Sequence, residues 1–362
     1  MAYTTINKPI EHFSTNLWVA DDTSPRSFTG FGHQPDFVWV KHRGSGSVGH
    51  CLLNSVRGGD KFTGSNNNTA ENTSKPHGYI TSFNSDGITV ADGTNPTYPR
   101  LYFNDLDPFG SGGGNYVCWS WKANGGTGSS NTDGSITSTV SANTTSGFSI
   151  VTYTGTGSNA TVGHGLGAVP KMIITKSIAS SNWGVYHESL GNTDALFLNE
   201  TSATGSSSNY WNNTSPTSSV FYLGNGGTNG GSTNNTGGMI AYCFADKTGY
   251  SKFGSYVGNG NADGTFVYTG FKPAFVMLKS SSSAGDSWFM FDDKRTTSNV
   301  MGSYIRAESG NAEGSDTALD FISTGFKLRS TSGAFNDQTT FVYMAFASAP
   351  LVGTNNVPCT AR

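Results

Sequence analysis

Charge is scarce in this chain. Only 12% of its 362 residues are Asp, Glu, Lys or Arg, and 24 acidic residues against 21 basic leave a formal net charge of −3. Long charged helix faces are therefore missing, and so is any basic cluster that would neutralise phosphates, which argues against nucleic-acid binding. Cysteine is as sparse: Cys51, Cys118, Cys243 and Cys359 lie far apart with no CxxC spacing. That pattern fits neither a disulfide framework nor a zinc site and predicts buried free thiols. No apolar run approaches bilayer length, and Met1 to Pro9 is mostly polar, so neither a membrane span nor a signal peptide is expected. What is plentiful is glycine, 48 residues, with Ser, Thr and Asn filling most polar positions and aromatics at 12%. Turn formers between aromatic-rich strands indicate an all-β class.

Four kinds of segment recur in a fixed order. The first is a proline, a spacer, four mostly apolar residues and a lysine: Pro35 to Lys41, Pro170 to Lys176 and Pro273 to Lys279. Apolar residues at successive positions mark a strand covered on both faces, the proline suits its first residue, and the lysine is expected to lift its ammonium into water. A second apolar segment follows at His50 to Arg57, Trp183 to His187 and Trp288 to Asp292. A third pairs a Ser-x-Gly turn with an alternating strand, at Phe83 to Val90 and Phe321 to Leu328, with a blurred counterpart at Ser219 to Leu223. The fourth closes each set: Val117 to Trp121, Ile240 to Phe244 and Val342 to Phe346. There, large residues such as Val117, Trp119 and Trp121 share one face, and mostly small ones (Cys118, Ser120; Ala241, Cys243; Ala345) share the other.

This order predicts tandem antiparallel β-sandwich modules, jelly-roll-like, at residues 1–123, 147–247 and 248–350. Residues 124–146, rich in Gly, Ser, Thr and Asn, read as a flexible linker, and 351–362 as a loose tail. The second and third modules are expected to form a fixed pair with the first hinged against them. The small-residue face of each closing strand is expected to be the surface where modules or subunits meet. The second and third modules also open on Tyr-x-Gly-x-Gly, at Tyr153 and Tyr256, whereas the first has Asp21 and Asp22 near that place.

Candidates for chemistry are weak. Gly163-His164-Gly165-Leu166-Gly167 is not followed by a helical pattern and reads as a turn rather than a phosphate loop. Asn259 to Asp263 opens like a calcium loop, but Gly270 stands where the bidentate glutamate belongs, so a turn is favoured over a weak calcium site. The acid pairs Asp21/Asp22, Asp105/Asp107 and Asp292/Asp293 are adjacent or nearly so, and neighbours on a strand face opposite ways. No catalytic residue, cofactor or metal ligand is assigned. Trp183 and Trp288 occupy equivalent repeat positions and are expected in the core. Tyr210 and Trp211, in a polar stretch outside the repeats, are the candidate glycan or partner contact, weighed against a role in capping their own module.

Several strings resemble a known repeat family. They are His50-Cys51-Leu52-Leu53-Asn54-Ser55-Val56-Arg57-Gly58, Asn115 to Ala123, Gly163 to Ile174 and Gly264 to Lys279. The family consists of repeat-containing virion proteins of marine bacteriophages, of the cyanophage and pelagiphage type. The resemblance implies a structural component of the particle (tail, fibre or capsid-surface appendage) located in the virion, non-enzymatic, and partnered by itself as a homo-oligomer and by other virion proteins. A host-receptor or glycan-binding adhesin is the alternative, and a surface-polysaccharide depolymerase the third. The acidic residues near Asp21 and the weak third segment of the middle module depart from the family pattern.

Overall fold

A computed structural model describes residues 3–110, 113–226 and 232–352. Residues 353–362, which include most of the expected tail and Cys359, lie outside the described residues. The alternating segments form strands, and the larger sheet of each module repeats one strand order: leading, closing, lysine-ended, partner and rim. The leading strands are Phe13–Val19, Phe148–Gly155 and Ser251–Val257. The closing strands are Asn115–Trp121, Gly237–Phe244 and Thr340–Pro350, and the lysine-ended strands are Phe37–His42, Met172–Ser177 and Phe271–Ser280. Partner strands Cys51–Asn54, Gly184–His187 and Phe289–Asp292 lead to rim strands Gly58–Thr63, Asp194–Phe197 and Met301–Arg306. Pairing throughout these sheets is antiparallel, and the register is the same each time. Trp121 stands opposite Phe13 and Phe37, Phe244 opposite Phe148 and Met172, and Phe346 opposite Ser251 and Phe275.

A smaller set of strands covers one face of each larger sheet and completes a sandwich. In the first module it is Arg26–Thr29, Gly87–Ala91 and Tyr79–Asn84; in the second, Ala160–Gly163 with Val220–Leu223. In the third, Phe266–Tyr268, Gly325–Leu328 and Gly314–Ile322 do the same, continuing from the rim strand. The Ser-x-Gly turns need their glycines. A Cβ on Gly87 would lie 1.9 Å from the Phe28 carbonyl oxygen, and one on Gly325 would lie 2.0 Å from that of Val267.

The two faces of the closing strands have the opposite roles to those expected. The small residues Cys118, Ala241, Cys243, Ala345 and Ala347 face the interior of their own sandwich. Covering-strand side chains such as Phe28, Ile88, Phe221 and Phe326 already fill that thin space. The bulky residues face outward from each sandwich into one core shared by all three modules. At its centre the three equivalent residues Trp121, Phe244 and Phe346 touch each other edge to face. Their ring centroids are 6.2 Å (Trp121–Phe244), 5.7 Å (Trp121–Phe346) and 6.1 Å (Phe244–Phe346) apart, with interplanar angles of 69°, 70° and 62°. The modules are thus related by a pseudo-threefold arrangement, and the first is not hinged against the others. Three sheets meeting along one line leave a wide space that only large side chains fill.

Three further expectations change. The stretch read as a linker contains strands Ser129–Asn131 and Ser138–Asn143, which extend the second module's sheet beyond its leading strand. The terminal lysines Lys41, Lys176 and Lys279 are fully buried instead of reaching water. Each Nζ donates to the carbonyl of the next residue at 2.7 Å, namely His42, Ser177 and Ser280. The prolines also sit differently. Pro35 and Pro170 precede their strands, while Pro273 lies inside one, at a register shift where no amide is required.

Because the large faces are buried only against each other, the three modules should unfold together. Calorimetry is expected to show one cooperative transition, and Trp121→Ala should lower stability by about 3–5 kcal/mol. Separate transitions for residues 1–128 and the remainder would contradict the shared core.

Candidate functional site

Two rings of polar contacts stitch the modules together at the ends of the partner strands. Asn54, His187 and Asp292 occupy one register position, opposite Phe37, Met172 and Phe275. Asn54 Nδ2 donates to the Tyr242 hydroxyl at 3.0 Å, His187 Nε2 to the Tyr343 carbonyl at 3.1 Å, and Asp292 Oδ2 accepts from Trp119 Nε1 at 3.1 Å. The cycle runs first to second, second to third, third to first. The residues just before the partner strands run the other way. His50 Nε2 donates to the Arg306 carbonyl at 3.0 Å, Trp183 Nε1 to that of Gly64 at 2.9 Å, and Trp288 Nε1 to that of Phe197 at 2.9 Å. Trp183 and Trp288 are core residues, and the core is the shared one.

The seam between third and first modules is the most strongly charged. The buried Arg295 guanidinium bridges Asp292 and Glu313, and Glu313 takes a two-point contact from Arg43 at 2.9 and 2.8 Å. Arg295 also lies over the Trp119 ring, 5.4 Å from its centroid. Asp292 is therefore fully engaged in holding a seam. Elsewhere Asp21 accepts from Asn104 and Thr23, which hold its carboxyl down at about 2, Asp22 accepts the Leu106 amide, and Asp105 the Asp107 amide.

A repeated device was missed in the sequence. Trp18, Tyr153 and Tyr256 occupy equivalent leading-strand positions, and each donates to a backbone carbonyl: Phe103 at 2.7 Å, Thr233 at 2.6 Å and Phe335 at 2.7 Å. The next residue in each case is a buried asparagine, Asn104, Asn234 or Asn336, whose carboxamide plugs the turn after the leading strand. The first module lacks Tyr-x-Gly-x-Gly, but Trp18 does the tyrosine's work; the recurring aromatic and asparagine were the available signal. The loop compared with a calcium site, Asn259 to Asp263, is one of these turns. Asn336 Nδ2 donates to Asn259 Oδ1 at 3.1 Å and the Asn261 carbonyl at 2.8 Å, while Asp263 pairs with Lys327. A neutral amide holds the oxygens that a cation would need.

Tyr210 and Trp211 are not a surface contact. They lie in a one-turn helix, Ser208–Trp211, and are 3% and 2% exposed within the second module's own core. Trp211 meets Tyr186 edge to face at 5.7 Å, and Tyr210 meets Phe197 at 5.8 Å. The polar residues around them form the outer turn of chain, which gives the segment its exposed look in sequence. His164 is also buried, accepting the Leu166 amide at 3.2 Å and donating to the Thr217 carbonyl at 3.2 Å, as a turn residue would. Cys51, Cys118 and Cys243 are buried free thiols, and burial pushes each of them well up, away from reactive thiolate. Among the described residues no group of three or more His, Cys, Asp and Glu side chains is placed to hold a metal ion.

In comparison with known protein families, the family described as Domain of unknown function (DUF7483) matches residues 8–350. The chain belongs to that family. The DUF7483 match starts just before the leading strand of the first module and ends with the closing strand of the third, so the family's unit is the whole three-module body. No curated protein and no solved structure matched the chain.

Two outcomes follow for this DUF7483 body. Asn336→Ala should cost about 1–3 kcal/mol, because it strips buried backbone groups of their partner, and thermal melting of the variant checks this. Acid should also weaken the fold. Burial holds His42 and His187 down at about 4 and His50 at about 3. Each uses Nδ1 to accept a fixed N–H, from Ser45, Ser189 and Trp39 respectively, so the folded form excludes a second proton. The unfolded state takes up more protons below pH ~6.5, so stability is lost as pH falls from there to about 4. A melting temperature that stays flat across that window would contradict neutral, locked imidazoles.

Proposed function

We propose that the protein is a non-enzymatic structural component of a bacteriophage virion, a tail, fibre or capsid-surface element that works through contacts with itself and with other particle proteins. The observation that carries this reading is the fused three-module body, in which Trp121, Phe244 and Phe346 close a common core. Its most conspicuous polar side chains (Asn54, His187, Asp292, Arg295, Asn336) hold strands and seams in place. Burial on both faces of the lysine-ended strands makes a stiff scaffold, which suits load-bearing in an assembly. The sequence resemblance to marine phage virion proteins supports the same role. Burial of Tyr210 and Trp211 removes the one contact on which a glycan-binding reading rested.

Antibodies raised against the recombinant chain should decorate purified particles of the virus that encodes it, at a fixed position seen by electron microscopy. Recovery of the protein only in the soluble fraction of the lysate, with none on purified particles, would overturn the assignment.

A further inference from the structure

The three seams share a backbone plan but differ in how they are sealed. Thr15, Ile150 and Phe253 are equivalent, standing opposite Trp119, Tyr242 and Met344. Past the partner strands, Val56 and Leu190 pack against the shared core, whereas the third module has Lys294, which is exposed, and Arg295, which is committed to Asp292 and Glu313. The seam between third and first modules therefore combines the smallest leading-strand residue with no apolar plug. A groove of about 540 Å³ lies there, lined by Phe13, Thr15, Leu17, Ala274, Asp293 and Ser348 among others. The Thr15 hydroxyl is buried with no hydrogen-bond partner among the described residues.

The equivalent place at the seam between first and second modules is filled by the chain itself. Strand Ser138–Asn143 pairs with the outer edge of the leading strand Phe148–Gly155, with Ser141 opposite Ile150. On the seam side, Ser141 Oγ accepts the Asn124 amide at 3.0 Å, and Asn143 Nδ2 donates to the Lys122 carbonyl at 3.3 Å. Lys122 and Ala123 follow Trp121 as Ala347 and Ser348, which line the groove, follow Phe346. At the remaining seam Asp246 seals the edge, taking the Phe253 amide at 2.9 Å and pairing with Lys252. The outer edge of Phe13–Val19 carries no paired strand among the described residues.

We propose that this edge is a strand-acceptor site. It takes one extended segment of a partner protein, added antiparallel to Phe13–Val19, with small polar side chains (Ser, Thr, Asn) in the groove and small apolar ones toward the first module. The chain's own Ser138–Asn143, placed at the equivalent edge, shows the chemistry that fits. Backbone hydrogen bonds supply the affinity, and the groove beside the edge receives the side chains that face it. The acceptor edge does not depend on the protein being part of a virion.

The test uses the full chain and a synthetic peptide reproducing residues 136–144, titrated by fluorescence anisotropy. Saturable binding is expected, weakened at least tenfold when the peptide carries proline in place of its central valine. Thr15→Phe, which restores the bulk found in the third module, should weaken binding at least tenfold while the melting temperature stays near that of the parent. If Thr15→Phe does not fold, Ser348→Phe narrows the groove from its other wall and should give the same loss. Absence of saturable binding, or equal binding to the folded groove-filling variant, would overturn the proposal. So would saturable binding of a neutral oligosaccharide in the groove without peptide binding.

Discussion

The mutual contact of Trp121, Phe244 and Phe346 is the constraint from which the rest of the molecule follows. Each ring projects from the same register position of its closing strand, so the contact can be made only if three sheets approach one line at matching heights. A module alone would leave the face carrying its ring, and the neighbouring Trp39, Ile174 or Met277, open to water. At about 25 cal/mol per Å² of apolar surface, leaving that face open would forfeit a large part of the burial each module depends on, beyond what its own thin interior supplies. The modules are repeats in sequence and parts of one body in energy.

Fusion in a single chain separates backbone symmetry from side-chain chemistry. Three identical subunits would be obliged to make the same contact three times. Here one ring position holds Asn54, His187 and Asp292, each solving the same geometric problem with different donors and acceptors. The freedom shows most at the third seam, where Arg295, Asp292, Glu313 and Arg43 replace the apolar plugs of the other two. A buried ion network fixes relative orientation at some cost in desolvation. Beside it, with Thr15 in place of a larger residue, the packing stays open.

Much of the repeat was legible because its residues alternate strictly. The closing strands aligned without gaps, and the equivalence of Trp183 and Trp288 placed both in a core. Trp18 was not recognised as the partner of Tyr153 and Tyr256, because its indole N–H does with a different ring what their hydroxyls do. Strand Ser138–Asn143 was hidden by its composition: half its side chains meet backbone and polar groups at the seam, and no apolar period results. Tyr210 and Trp211 looked exposed because their neighbours are polar, yet a single helical turn points both rings inward.

The amino-acid sequence alone determined an all-β chain of repeated modules, because a period of two with glycine-rich turns admits no other regular structure. It also showed that each closing strand has one bulky and one small face. Which face meets what was decided only by the tertiary structure. Periodicity records that two surfaces differ, and the size of the space each must fill depends on how many sheets converge on it. Charge scarcity has the same double reading. It announced a chain with little surface chemistry, but only the folded body shows several of its few ionisable side chains, such as Arg295 and Lys41, buried where strands and modules join.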